Sequence, residues 1–155
     1  MYREIYFLKA LTGNPVLFIG IFAWALAQFI KVPIFYIMYK RLHWGLWFSS
    51  GGMPSSHSAL VTSVMLAIGL FEGFNTSLFA ISFTLAMIVV YDAAGVRREA
   101  GRHAEKINIL INELFSGHPI SEKQLKEVIG HTPAQVIAGV VLGLSSAFIF
   151  YLILH

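Results

Sequence analysis

Four long apolar stretches, each only sparsely interrupted by charge, constrain this chain more than any other feature. They run from about Pro15 to Tyr39, Ser56 to Phe71, Thr76 to Tyr91 and Ala134 to Leu154. A helix that crosses a bilayer needs roughly 20 apolar residues, and it must satisfy its backbone polar groups within itself because no water is there to do so. Composition agrees: 57% of the 155 residues are hydrophobic and 12% charged, where soluble domains carry about 25% charged residues. The expected fold is an all-α integral membrane protein, one domain over residues 1–155 with about four transmembrane helices.

Gln28, Lys31 and Pro33 interrupt the first stretch, so it is expected to kink or to end near Lys31. The second and third are short for a span, which implies tilt or shelter by protein. Glu72-Gly73-Phe74-Asn75 reads as a tight turn, with Asn75 as the N-cap of the third helix. The only long polar stretch is Asp92 to Thr132. Within it Ile107, Leu110, Ile111 and Leu114 recur at helical spacing, giving a helix from Arg97 to Phe115. Gly117 breaks that pattern, and Ser121 opens a second short helix carrying Leu125, Val128 and Ile129. Residues 97–130 therefore read as an amphipathic helical hairpin lying on the membrane surface.

Charge supplies an orientation. The formal net charge is only +3, but four alternating spans gather Lys40, Arg41, Arg97, Arg98, Arg102, Lys106, Lys123 and Lys126 on one face. The opposite face holds Arg3 and Lys9 with Glu4 and Glu72. The positive-inside rule puts the basic face in the cytoplasm and both termini outside. No cleavable signal peptide is read, because the first apolar stretch is too long for one. The chain has no cysteine, which excludes disulfides, thiolate nucleophiles and cysteine zinc sites. So apolar a chain is not expected to bind nucleic acid; membrane lipids are the expected partners, the clustered basic residues suit anionic headgroups or anionic substrates, and a homo-oligomer is left open.

Three elements on the basic face carry chemistry. Gly51-Gly52-Met53-Pro54-Ser55-Ser56-His57-Ser58 opens the second span. Ser55 or Ser56 can cap that helix, whose free N–H groups and dipole suit a phosphate, and His57 can donate a proton; an ordinary capped helix start is the plainer explanation. Tyr91-Asp92-Ala93-Ala94-Gly95-Val96-Arg97-Arg98 ends the third. Arginine suits phosphate oxygens, and Asp92 can orient an arginine or a histidine; juxtamembrane anchoring explains the same arginines. Gly130-His131-Thr132-Pro133-Ala134-Gln135 enters the last span, where Gln135 can hold one nitrogen of His131 and leave the other to act. Lys31, with Gln28 beside it, lies deep in the first stretch, where a lysine costs about 2.5–3.5 kcal/mol to insert and so marks a functional candidate or a snorkelling side chain.

At these residues the chain resembles the type 2 phosphatidic acid phosphatase superfamily, which includes the vanadium-dependent haloperoxidases, and most of all a divergent branch of it. Pro54-Ser55-Ser56-His57 matches the Pro-Ser-Gly-His motif with Ser56 for glycine, and His131-x3-Gln135 matches the end of the third motif with Gln135 for aspartate. The resemblance implies His131 as nucleophile and His57 as the acid on the leaving group. Lys31, Arg97, Ser55 and Ser56 would hold phosphate, with Gln135, Asp92 and Gln28 in support and neither metal nor other cofactor. Val96 replaces the serine before arginine, and residues 98–130 separate Arg97 from His131 where the superfamily has five residues. A rival register, Arg97-x5-His103, puts Ile107 where the aspartate belongs.

The implied function is hydrolysis of a lipid or isoprenoid phosphate through phosphohistidine, on the cytoplasmic face of a bacterial cell membrane. An anion-binding scaffold with weak or no turnover is the alternative, motivated by Gln135. A transporter, or a serine hydrolase on Ser56 or Ser58, fits less well, since neither repeat symmetry nor a nucleophile elbow is present.

Overall fold

The computed structural model describes residues 13–49, 51–114 and 131–155. Helix α1 spans Pro15–Tyr39, α2 Ser56–Phe71, α3 Ser77–Ala94, α4 Val96–Leu114 and α5 Pro133–Leu154, with a short 3₁₀ turn at Trp44–Phe48. No strand occurs among the described residues. Helices α1, α3 and α5 are each long and apolar enough to cross a membrane, and α2 is apolar but shorter.

The helix starts follow from short polar side chains. Asn14 Oδ1 accepts from Leu17 N at 3.0 Å, with Pro15 in the first turn. The third helix begins one residue later than expected. Thr76, not Asn75, is the cap, its Oγ1 accepting from Phe79 N at 3.2 Å. Thr76 also donates back to Gly73 O at 2.8 Å, so one hydroxyl closes the turn and starts the helix.

Helix α1 neither ends nor breaks at Lys31; it runs through Pro33 to Tyr39. Proline has no N–H to give the carbonyl four residues back, so Phe29 O loses its helical donor. The Trp47 indole N–H supplies one at 3.4 Å. An orphaned carbonyl in one helix is thus answered from the following loop.

Helix α2 is the centre of the bundle, packing on α5, α1 and α3, while α3 meets α5 only along an edge and does not reach α1. Packing between α2 and α5 depends on small residues, as expected where lipid provides no hydrophobic drive between helices. A methyl group on Gly139 would lie 2.3 Å from Ser55 O, and one on Gly143 would lie 2.4 Å from Ala59 O. At the far end Phe150 packs edge-on against Phe18 and Phe22, and Phe71 against Tyr151. The start of α1 and the ends of α2 and α5 therefore share one face, and the antiparallel order expected from the sequence is present. Residues 115–130, the second arm of the expected hairpin with Gly117 and Ser121, lie outside the described residues.

Candidate functional site

The loop between α1 and α2 folds back along α1 instead of crossing straight to the next helix. Gln28 Nε2 donates to Trp47 O at 3.1 Å and Lys31 Nζ donates to Ser49 O at 2.8 Å. Together with the Trp47–Phe29 bond these stitch the strap to α1 well below its C-terminal end at Tyr39. The strap makes up for a short helix: 16 residues of α2 extend about 24 Å, less than the roughly 30 Å apolar core of a bilayer. The start of α2 is therefore sunk below the end of α1.

Lys31 is 1% exposed, and among the described residues no carboxylate pairs with it. Its stem lies 3.6 Å from where a side chain on Gly52 would begin, and Gly52 adopts a left-handed φ of 89°. The left-handed φ calls for glycine there, while the lysine stem is in ordinary contact with that position. Snorkelling to the surface, the competing explanation for Lys31, does not occur, since the ammonium is buried against the strap.

Of the two candidate caps, Ser55 is the one used. Its Oγ accepts from Ser58 N at 3.3 Å and lies 3.0 Å from Ser58 Oγ. Its own backbone N–H donates to Gln135 O at 2.9 Å, which ties the start of α2 directly to the start of α5. Gly139, one turn further along α5, lets the two backbones close on each other. Ser56 is 1% exposed, and its hydroxyl has no hydrogen-bond partner among the described residues.

This clamp brings two histidines far apart in sequence to one cleft. It is lined by His57, Val89, Asp92, Ala93 and His131, from the starts of α2 and α5 and the end of α3. Thr132 and Gln135 form a reciprocal capping box at the head of α5. Gln135 Oε1 accepts from Thr132 N at 3.1 Å and lies 3.1 Å from His131 Nδ1. A backbone N–H can only donate, so the amide atom facing it is oxygen. The same oxygen can only accept from the imidazole, which puts the ring proton on Nδ1 and leaves the lone pair of the neutral ring on Nε2. Gln135 thereby sets the tautomer a nitrogen nucleophile needs, without the charge a carboxylate would add.

Of the residues singled out in the sequence, His57, Asp92 and His131 meet in the cleft, with Gln135 behind His131 and Ser55 at the clamp. Lys31 and Gln28 instead face the strap. Arg97 stands at the start of α4, two residues beyond Gly95, and its side chain lies outside the described residues. His103 is exposed on α4 and does not line the cleft. Val89 and Ala93 form its apolar wall and carried no signal of their own. Gly139 and Gly143 did: small residues four apart in an apolar span mark a close helix contact.

A bundle of helices long and apolar enough to span a membrane, whose ends bring two histidines and an aspartate to one cleft, defines a helical membrane protein. The chain belongs to the Divergent PAP2 family, whose model matches residues 12–146. It is similar to an uncharacterized membrane protein, YuiD, of Bacillus subtilis (strain 168), at 41% identity over 92% of this chain and 99% of that protein. No solved structure matches it.

Proposed function

We propose that this protein hydrolyses a lipid or isoprenoid phosphate monoester at the cytoplasmic face of the cell membrane, through a phosphohistidine on His131. The observation that carries this reading is the shared cleft of His57 and His131, with Gln135 Oε1 fixing the proton on His131 Nδ1. His131 Nε2 attacks phosphorus and the bond to the leaving oxygen breaks. His57 gives that oxygen its proton, so the product leaves as an alcohol. Water then attacks the phosphohistidine, His57 takes the proton of the water, the P–N bond breaks and phosphate leaves. The N–H groups opening α2, with Ser55 and Ser56, and Arg97 and Lys31 hold the phosphoryl oxygens. For Lys31 this requires the ammonium to serve the strap carbonyl and the anion together, for which it has donors enough.

A second reading, anion binding without turnover, is favoured by one observation: Gln135 is an amide and offers the imidazolium no charge. Phosphate release from a panel of lipid phosphates, wild type against His131→Ala, separates the two. The hydrolytic reading expects release that the variant loses. Release retained by the variant sinks the mechanism, and vanadate binding with no release by the wild type selects the binding reading.

A further inference from the structure

Helix α4 divides its surface in three. At 100° per residue, Val96, Ile107, Leu110 and Ile111 fall on one arc that also carries His103, and all five are exposed. Gly101 and Asn108 fall about 120° away and are buried, so this flank and not the apolar one faces protein. Arg98, Arg102, Glu105 and Lys106 fall on the third arc. In a soluble protein the apolar arc would be the buried one. Here the helix turns its small and amide residues inward and leaves Val96 and, within one turn of each other, Ile107, Leu110 and Ile111 outward.

We infer that this arc of α4 is seated in the headgroup–acyl boundary of the same bilayer that the bundle spans, so that α4 lies on the membrane beside the cleft. Two observations name lipid as the occupant. The arc continues an apolar surface already given to lipid: α3 exposes Met87, Ile88 and Tyr91 up to its end, and Val96 follows after the single break at Gly95. A helix that starts two residues beyond a membrane span also starts at the interface. Second, the arc opposite is basic, with Arg98, Arg102 and Lys106, the arrangement of helices that lie in the plane of the interface with cations toward the headgroups. The inference uses no catalytic step and stands apart from the hydrolytic reading.

The absence of cysteine makes the test direct. Nitroxide labels are placed singly, through Ile107→Cys, Leu110→Cys, Ile111→Cys, Lys106→Cys and Ile109→Cys, in the full chain reconstituted in phosphatidylcholine vesicles with a minority of phosphatidylglycerol. Accessibility to oxygen, which partitions into lipid, is compared with that to a water-soluble nickel chelate. Labels at 107, 110 and 111 are expected to favour oxygen, while 106 and 109 favour nickel. Ile109 is the sharp control, because it is as apolar as its neighbours but falls on the polar arc. Nickel access at all five positions overturns the inference. So does shielding of 107, 110 and 111 from both reagents, since protein (residues 115–130 or a second copy) would then cover the arc. All five positions are exposed, so the bundle tolerates the labels, and the pattern survives loss of any one variant.

Discussion

The two ends of the bundle are held by different physics. Where α1 starts and α2 and α5 end, Phe71 and Phe150 pack against Ile19, Ala67 and Ala147, Phe150 meets Phe18 and Phe22 edge-on, and Phe71 meets Tyr151. At the other end the contacts are a lysine, a glutamine and an indole on carbonyls, a serine N–H on a glutamine carbonyl, and a glycine where two backbones meet. Aromatic packing tolerates rotation and repacking; directional bonds to carbonyls do not. The difference teaches that this molecule spends its geometric precision where the histidines are and its bulk where nothing needs to be aimed.

Substitutions can break or sharpen that contrast. The largest effect is expected for His131→Ala, which should abolish lipid-phosphate release in a detergent assay while the thermal unfolding midpoint shifts little. Next is Gly139→Leu, whose side chain has no room beside Ser55 O. It should cost about 3 kcal/mol, read as unfolding in detergent, and release should fall with it because the clamp carries His57. Trp47→Phe keeps the ring but leaves Phe29 O without its donor. It should cost about 1–2 kcal/mol and lower release severalfold, since the strap leads into the start of α2. Phe150→Leu at the far end should cost about 1 kcal/mol and leave release per folded molecule unchanged. Equal losses of release from Phe150→Leu and Trp47→Phe would erase the distinction between the two ends.

Gln135→Glu sharpens the same comparison from the catalytic side. The glutamate retains both acceptor roles, toward Thr132 N and His131 Nδ1, and adds a charge that stabilises the imidazolium. Faster phosphohistidine formation in single-turnover measurements is the expected outcome; a slower step would mean that the amide itself serves the reaction.

Much of the bundle was legible because apolar length and helix caps are local. The bounds of α2, the start of α5 and the helix at Val96–Leu114 all follow from residues within one or two turns. Thr76 displaced Asn75 as the cap because its hydroxyl can also reach back to Gly73 O, which a list of cap preferences does not weigh. The strap was not legible. Gln28, Lys31 and Pro33 read as flaws in a span, yet Gln28 and Lys31 donate to carbonyls of residues 47–49 and the Phe29 carbonyl that Pro33 orphans accepts from Trp47, and pairing across some 18 residues leaves no periodic trace. For the site, motif order picked out His57, Arg97 and His131, with Asp92 in support; His57, Asp92 and His131 meet in the cleft, and the Arg97 side chain lies outside the described residues. Its apolar wall of Val89 and Ala93 is a product of how α3 leans on α2.

The most direct test of the account is to look for the intermediate on the nitrogen that Gln135 leaves with its lone pair. The protein is mixed with a phosphorus-labelled lipid phosphate monoester, quenched in alkali, where phosphohistidine survives, and mapped by mass spectrometry. The account predicts phosphate on Nε2 of His131, absent from His131→Ala and accumulating in His57→Ala with a substrate whose leaving group needs no proton. Label on His103 or on a serine, or lipid hydrolysis undiminished in His131→Ala, would contradict it.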